Sequence, residues 1–80
     1  MNIALGYRAL YGSSTVPMIG DYNFAAGYQS LSSNTTGTYN NALGLSALET
    51  NTTGSFNNAF GRVALYSNTT GTYNNALGDA

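Results

Sequence analysis

Apolar residues in this chain come singly or in short groups between Asn, Thr and Gly, and like positions recur at a fixed interval. Ala25, Ala42, Ala59 and Ala76 stand 17 residues apart, as do Leu31, Leu48 and Leu65. An aromatic, Tyr22, Tyr39, Phe56 or Tyr73, immediately precedes each of Asn23, Asn40, Asn57 and Asn74. Two glycine columns share the period: Gly27, Gly44, Gly61 and Gly78, and Gly20, Gly37, Gly54 and Gly71. The segment SNTTGTYNNALG at 33–44 recurs unchanged at 67–78, and NTTGSFNNAFG at 51–61 is the copy between them. Self-similarity at a fixed period marks a repeat architecture. The first repeat follows the pattern through Asn2, Ala4, Gly6, Ala9 and Leu10. It then runs four residues longer, with the surplus in the small and polar stretch 12–16, which reads as a bulged turn.

A 17-residue unit is too short for most helical repeats, and its glycines, asparagines and Thr pair remove helix propensity. The reading is all-β: a parallel β-solenoid forming one unit over residues 1–80, with two short strands per coil. Tyr39–Leu43 is the first strand expected and Leu45–Glu49 the second. Gly44 turns the chain between them, and Asn51-Thr52-Thr53-Gly54 supplies the return turn. Coils then stack about 4.8 Å apart, placing like residues above one another. This predicts an asparagine ladder at Asn23, Asn40, Asn57 and Asn74, each amide bonded to the next, and a stack of the neighbouring aromatics. The alanine column is small enough for the inside of a thin coil, while Leu43, Phe60 and Leu77 face the other way. A core lined by alanine is meagre for a single chain, so self-association is expected.

Charge changes the picture mainly by exclusion. Two arginines against three acidic residues leave a net charge of −1, and Lys, His, Cys and Trp are absent. Two cations cannot neutralise a phosphate backbone, so nucleic acid is excluded as a partner. Without Cys or His there is neither a disulfide framework nor a usual zinc site. No apolar run approaches the roughly 20 residues that span a bilayer, so no membrane insertion of this segment is expected.

The recurring pattern N-x-A-[LF]-G-x-x-A-L-x-x-N-T-T-G-x-[YF] resembles the head repeats of trimeric autotransporter adhesins, the YadA-like left-handed parallel β-roll. Its NTTG-containing form is also similar to repeats of bacterial and phage tail-fibre-type proteins. Asn41-Ala42-Leu43-Gly44, Asn58-Ala59-Phe60-Gly61 and Asn75-Ala76-Leu77-Gly78 match the inner-strand motif. The resemblance implies a homotrimer with inner strands facing a threefold axis, in an extracellular, cell-surface or virion fibre. It departs from the family in its longer period and in Pro17-Met18-Ile19-Gly20, which stands in place of NTTG. The chain begins and stops at equivalent points of the repeat with no polar cap, so a longer fibre or end-to-end stacking into a filament is expected.

The remaining candidate chemistry is sparse. Sequons at Asn34, Asn51 and Asn68 recur because the turn recurs. Asp21, Glu49 and Asp79 occupy different places in the repeat, which opposes a carboxylate pair or calcium ladder. Ser and Thr lack a His or Lys base for nucleophilic catalysis. No glycine-rich phosphate loop is formed, so neither enzyme activity nor a cofactor is expected. Variable positions carry Tyr7, Tyr11, Tyr28 and Tyr66. Contacts to a host or environmental surface, a glycan or a matrix protein are expected to spread over Tyr28, Leu45, Glu49, Arg62 and Tyr66. An alternative is ice binding by the T-x-T-like rows Thr36-Gly37-Thr38, Thr53-Gly54-Ser55 and Thr70-Gly71-Thr72.

Overall fold

The computed structural model describes residues 1–11 and 20–79; the expected bulged turn at 12–16 lies outside them. Five three-residue strands form one parallel sheet in chain order, one strand per coil: β1 (Ile3–Leu5), β2 (Phe24–Ala26), β3 (Asn41–Leu43), β4 (Asn58–Phe60) and β5 (Asn75–Leu77). Register follows the repeat, with Ala4, Ala25, Ala42, Ala59 and Ala76 paired in succession. The chain is therefore the all-β parallel solenoid that its period predicts. Alternation within each strand turns the middle alanine inward and the flanking residues outward. Ala25, Ala42 and Ala59 are fully buried, and Leu31, Leu48, Ala47 and Ala64 fill the other side of the coil.

The second expected strand does not form. Ser46, Ala47 and Leu48 are all buried, and a strand on the wall of a coil, with one face to solvent, would turn at least one of the three outward. The chain instead makes tight turns of alternating hand. Ser46 and Leu48 have φ of 59° and 53°, and Ala47 and Glu49 donate to the carbonyls of Gly44 and Ser46 at 3.3 and 3.2 Å. Coil-to-coil bonding continues through this stretch: the Ser46 N–H reaches the Tyr28 carbonyl below at 2.8 Å, and that of Leu48 the Ala64 carbonyl above at 3.0 Å. Folding the corner this way places all three side chains in the interior, which a flat strand could not do.

Two glycine positions carry separate constraints. Gly44 has φ of +130°, a region open in practice to glycine alone, and a Cβ there would sit 2.6 Å from the Gly61 carbonyl oxygen. Gly54 has no such φ, but its added Cβ would overlap the Gly71 carbonyl of the next coil. At Gly71 a Cβ would meet only the side chains of Asn68 and Asn74. Gly54→Ala must therefore push two coils apart and should cost about 3 kcal/mol, whereas Gly71→Ala should cost about 1 kcal/mol. Urea unfolding at one fixed protein concentration reads the difference. Equal losses would mean that the coils separate freely at this point.

Candidate functional surface

Coil stacking sorts the polar side chains into an inner and an outer set. Inside, Asn40 Oδ1 accepts the Asn57 backbone N–H at 3.0 Å while its Nδ2 donates to the Gly54 carbonyl at 2.8 Å. Asn23 makes the same pair of bonds, to the Asn40 N–H at 2.9 Å and the Gly37 carbonyl at 2.9 Å. Asn57 repeats it to the Asn74 N–H at 3.0 Å and the Gly71 carbonyl at 2.8 Å. The expected ladder is present, with different wiring. Each amide grips the backbone of the next coil, and within this column only Asn74 Nδ2 also reaches a neighbouring amide oxygen, that of Asn57 at 3.0 Å.

The amide-to-amide pattern runs instead through the sequon asparagines. Asn51 Nδ2 donates to Asn34 Oδ1 at 3.1 Å and Asn68 Nδ2 to Asn51 Oδ1 at 3.0 Å. Asn34 and Asn51 are fully buried, and the Nδ2 of each also donates to Gly37 and Gly54 respectively, both at 3.0 Å. Nitrogens held in this way present no free amide to a glycosyl donor in the folded chain. These residues are internal structural parts.

Outside, the strand face carries three columns. The aromatics Tyr22, Tyr39, Phe56 and Tyr73 stack at 4.9 to 5.0 Å between centroids, with interplanar angles of 9° or less. Beside them runs an amide ladder on the sheet surface, with Asn41 Nδ2 on Asn58 Oδ1 and Asn58 Nδ2 on Asn75 Oδ1, both at 2.7 Å. Next comes an apolar column in strict register: Leu5, Ala26, Leu43, Phe60 and Leu77. Leu43 and Phe60 remain 47% and 41% exposed although both belong to interior strands of the sheet. An exposed, in-register apolar row of this kind is a candidate interaction surface.

The expected contact residues divide between two columns. Tyr28, Leu45 and Arg62 occupy one repeat position, which they share with Tyr7 and Asp79; Glu49 and Tyr66 occupy another. Within the first column, Arg62 and Asp79 close a bidentate pair, Nε to Oδ1 and Nη2 to Oδ2, each 3.0 Å. Tyr66 lines a groove of about 680 Å³ with Val63, Leu65, Ser67, Asn68 and Ala76 over the last full coil. Thr36, Thr53 and Thr70 form an exposed row, but on the return turn and not on a strand. Among the described residues no three of Asp, Glu, His and Cys gather in a possible metal site.

Sequence reasoning missed two arrangements. One is the surface ladder of Asn41, Asn58 and Asn75, whose signal was the second Asn of each YNN or FNN. The other is the grouping of Tyr7, Arg8, Tyr11 and Tyr28, signalled only by the crowding of aromatics into the first coil. No family model, curated protein or solved structure matches this chain.

The division into inner and outer ladders has a measurable consequence. Asn57→Leu orphans the Asn74 N–H and removes one of the two donors to the Gly71 carbonyl, which keeps Asn68 Nδ2, and should cost about 1–3 kcal/mol. Asn58→Leu breaks only partly solvated bonds and should stay below about 1 kcal/mol. Urea unfolding of both variants at one concentration checks the order. An Asn57→Leu variant as stable as the parent would mean that the inner ladder carries no free energy.

Proposed function

We propose that this chain is a structural and adhesive fibre segment, of the trimeric adhesin or tail-fibre type, that works as a parallel homotrimer outside the cell or on a virion. The observation that carries this reading is the column Leu5, Ala26, Leu43, Phe60 and Leu77 on the one regular face of the solenoid, exposed at all but the half-buried Ala26. Burying an apolar row of this kind is favourable at about 25 cal/mol per Å². A face that repeats in register along the solenoid is matched by the same face of another copy, which repeats at the same spacing. Around a threefold axis the strand faces supply leucine and phenylalanine to a shared interior that adds to the alanine and leucine core of each thin coil.

Function then follows from rigidity and repetition rather than from a reaction centre. The inner positions are occupied by residues that hold coils together. The outer positions Tyr28, Leu45, Glu49, Arg62 and Tyr66 are among those at which residue type changes from coil to coil. Contacts spread over those positions are individually weak and gain strength from several copies held on one rigid body.

Light scattering on the purified chain should give a mass near three times 8.3 kDa. The double variant Leu43→Ser, Phe60→Ser should shift that mass toward the monomer, while Leu45→Ser, on a different column, should leave it unchanged. A folded, stable parent monomer at micromolar concentration would refute the reading.

A further inference from the structure

We propose that Tyr7, Arg8, Tyr11 and Tyr28 form a binding site for a carboxylated sugar, such as a hexuronic acid residue of a glycan. The four side chains gather at the outer corner of the first two coils, Tyr28 coming from the second. Tyr7 stacks on Tyr28 with 5.3 Å between centroids and 14° between planes. The Arg8 guanidinium carbon lies 5.3 Å from the Tyr7 ring centroid and 5.0 Å from that of Tyr11. All three tyrosines are open to solvent, at 60%, 55% and 48% exposure for Tyr7, Tyr11 and Tyr28. The repeat does not require this grouping, because the third coil has Leu45, Ser46 and Glu49 where the first has Tyr7, Arg8 and Tyr11.

The charges single out Arg8. Of the chain's two arginines, Arg62 is engaged by Asp79. Asp21 is paired with the terminal amine, and Glu49 stands in the third coil, away from the first. Residues 12–19 contain no Asp or Glu. Among the described residues Arg8 thus has aromatic neighbours and no carboxylate. Held over tyrosine rings, a guanidinium keeps its planar N–H fork for an oxygen anion, and a carboxylate matches that fork with two parallel bonds.

The rings specify the rest of the ligand. Tyrosines offer apolar faces and edges with a hydroxyl at the rim, which suits a molecule apolar on one face and polar at its edge. A pyranose ring has such a face in its axial C–H bonds, and a uronic acid adds the single carboxylate. A single unpaired guanidinium per chain fits one anion per site and not a dense polyanion, whose binding scales with the number of cations supplied. The proposal rests on the adhesive reading of the outer surface, but it does not depend on the oligomeric state.

The test titrates the purified full chain with tetragalacturonate, following tyrosine resonances by NMR. Galactotetraose serves as the sugar without a carboxylate, and poly-glutamate as the carboxylate without a sugar. Tetragalacturonate should shift the ring signals of the first coil and weaken as salt is raised. Arg8→Gln should lower its affinity about tenfold or more, Arg8→Lys less, and Tyr7→Leu should weaken it with charge unchanged. Circular dichroism on each variant confirms that the fold is retained. No binding by the parent chain, unchanged affinity in Arg8→Gln, or equal binding of either control would overturn the site. Light scattering on the same samples keeps the two readings apart: a trimer without sugar binding removes only this inference, and sugar binding by a monomer removes only the trimer.

Discussion

The structure depends on coil-to-coil hydrogen bonding at close range. Backbone donors reach the adjacent coil at 2.8 to 3.0 Å in every sector: Asn41 to Asn57 on the strand, Ser46 to Tyr28 at the corner, Thr52 to Thr69 on the return. Coils held this near leave no room for a Cβ at Gly54 and little for anything larger than alanine in the middle of each strand. The same closeness makes a buried amide affordable, since one asparagine satisfies an N–H and a carbonyl of the coil above without moving. A leucine in its place would fill similar volume but leave the buried N–H unpaired and the carbonyl with only its sequon asparagine, which costs more than the apolar contact returns.

Closing a coil within 17 residues requires sharp bends, and the backbone meets them with left-handed residues. Tyr39, Ser46 and Leu48 have positive φ in the third coil, and Phe56, Val63 and Leu65 repeat the pattern in the fourth. For a residue with a Cβ this conformation costs roughly 1–2 kcal/mol, and for β-branched Val63 it is a marked outlier. Such strain persists where the surroundings over-determine it. Each aromatic of the outer stack sits at one of these bends, and rings piled at about 5 Å give back part of what the bend costs. An isolated coil would have the bends without the neighbours, so coils are stable only in company, as nearest-neighbour stacking requires of a solenoid.

That dependence explains what the sequence makes legible. A period is visible in composition alone, and once coils repeat in register the parallel pairing, the alanine core and the asparagine column follow. Finer geometry is less visible because one residue type serves several local structures. Leu45-Ser46-Ala47-Leu48-Glu49 reads as a strand by apolar content, yet its three middle residues are all interior, and only the turn conformations of Ser46 and Leu48 achieve that. The sequon asparagines read as turn formers, which they are, since each bonds the carbonyl three residues on. Their second role, the amide ladder, needs the neighbouring coil to be placed first. The grouping of Arg8 with Tyr7, Tyr11 and Tyr28 was invisible for a related reason. It departs from the repeat, and a departure has no column to announce it.

Regularity and departure therefore divide the molecule by purpose. A change at an inner position disturbs the coils above and below it, so Asn40, Gly54 and Ala59 each have one acceptable side chain. Outer positions touch their columns only through side chains, and there Tyr7, Tyr28, Leu45, Arg62 and Asp79 succeed one another on one line. Two outer columns nonetheless keep one chemistry through the last three coils, although the amide column begins with Ile3 and Phe24 and the apolar one includes Ala26. The Asn41, Asn58 and Asn75 ladder and the Leu43, Phe60 and Leu77 row lie on the sheet face, where coil closure demands neither amide nor large apolar group. Regularity at positions free of internal constraint is what the proposed pairing with a second copy of this face accounts for, since two copies share one spacing coil for coil.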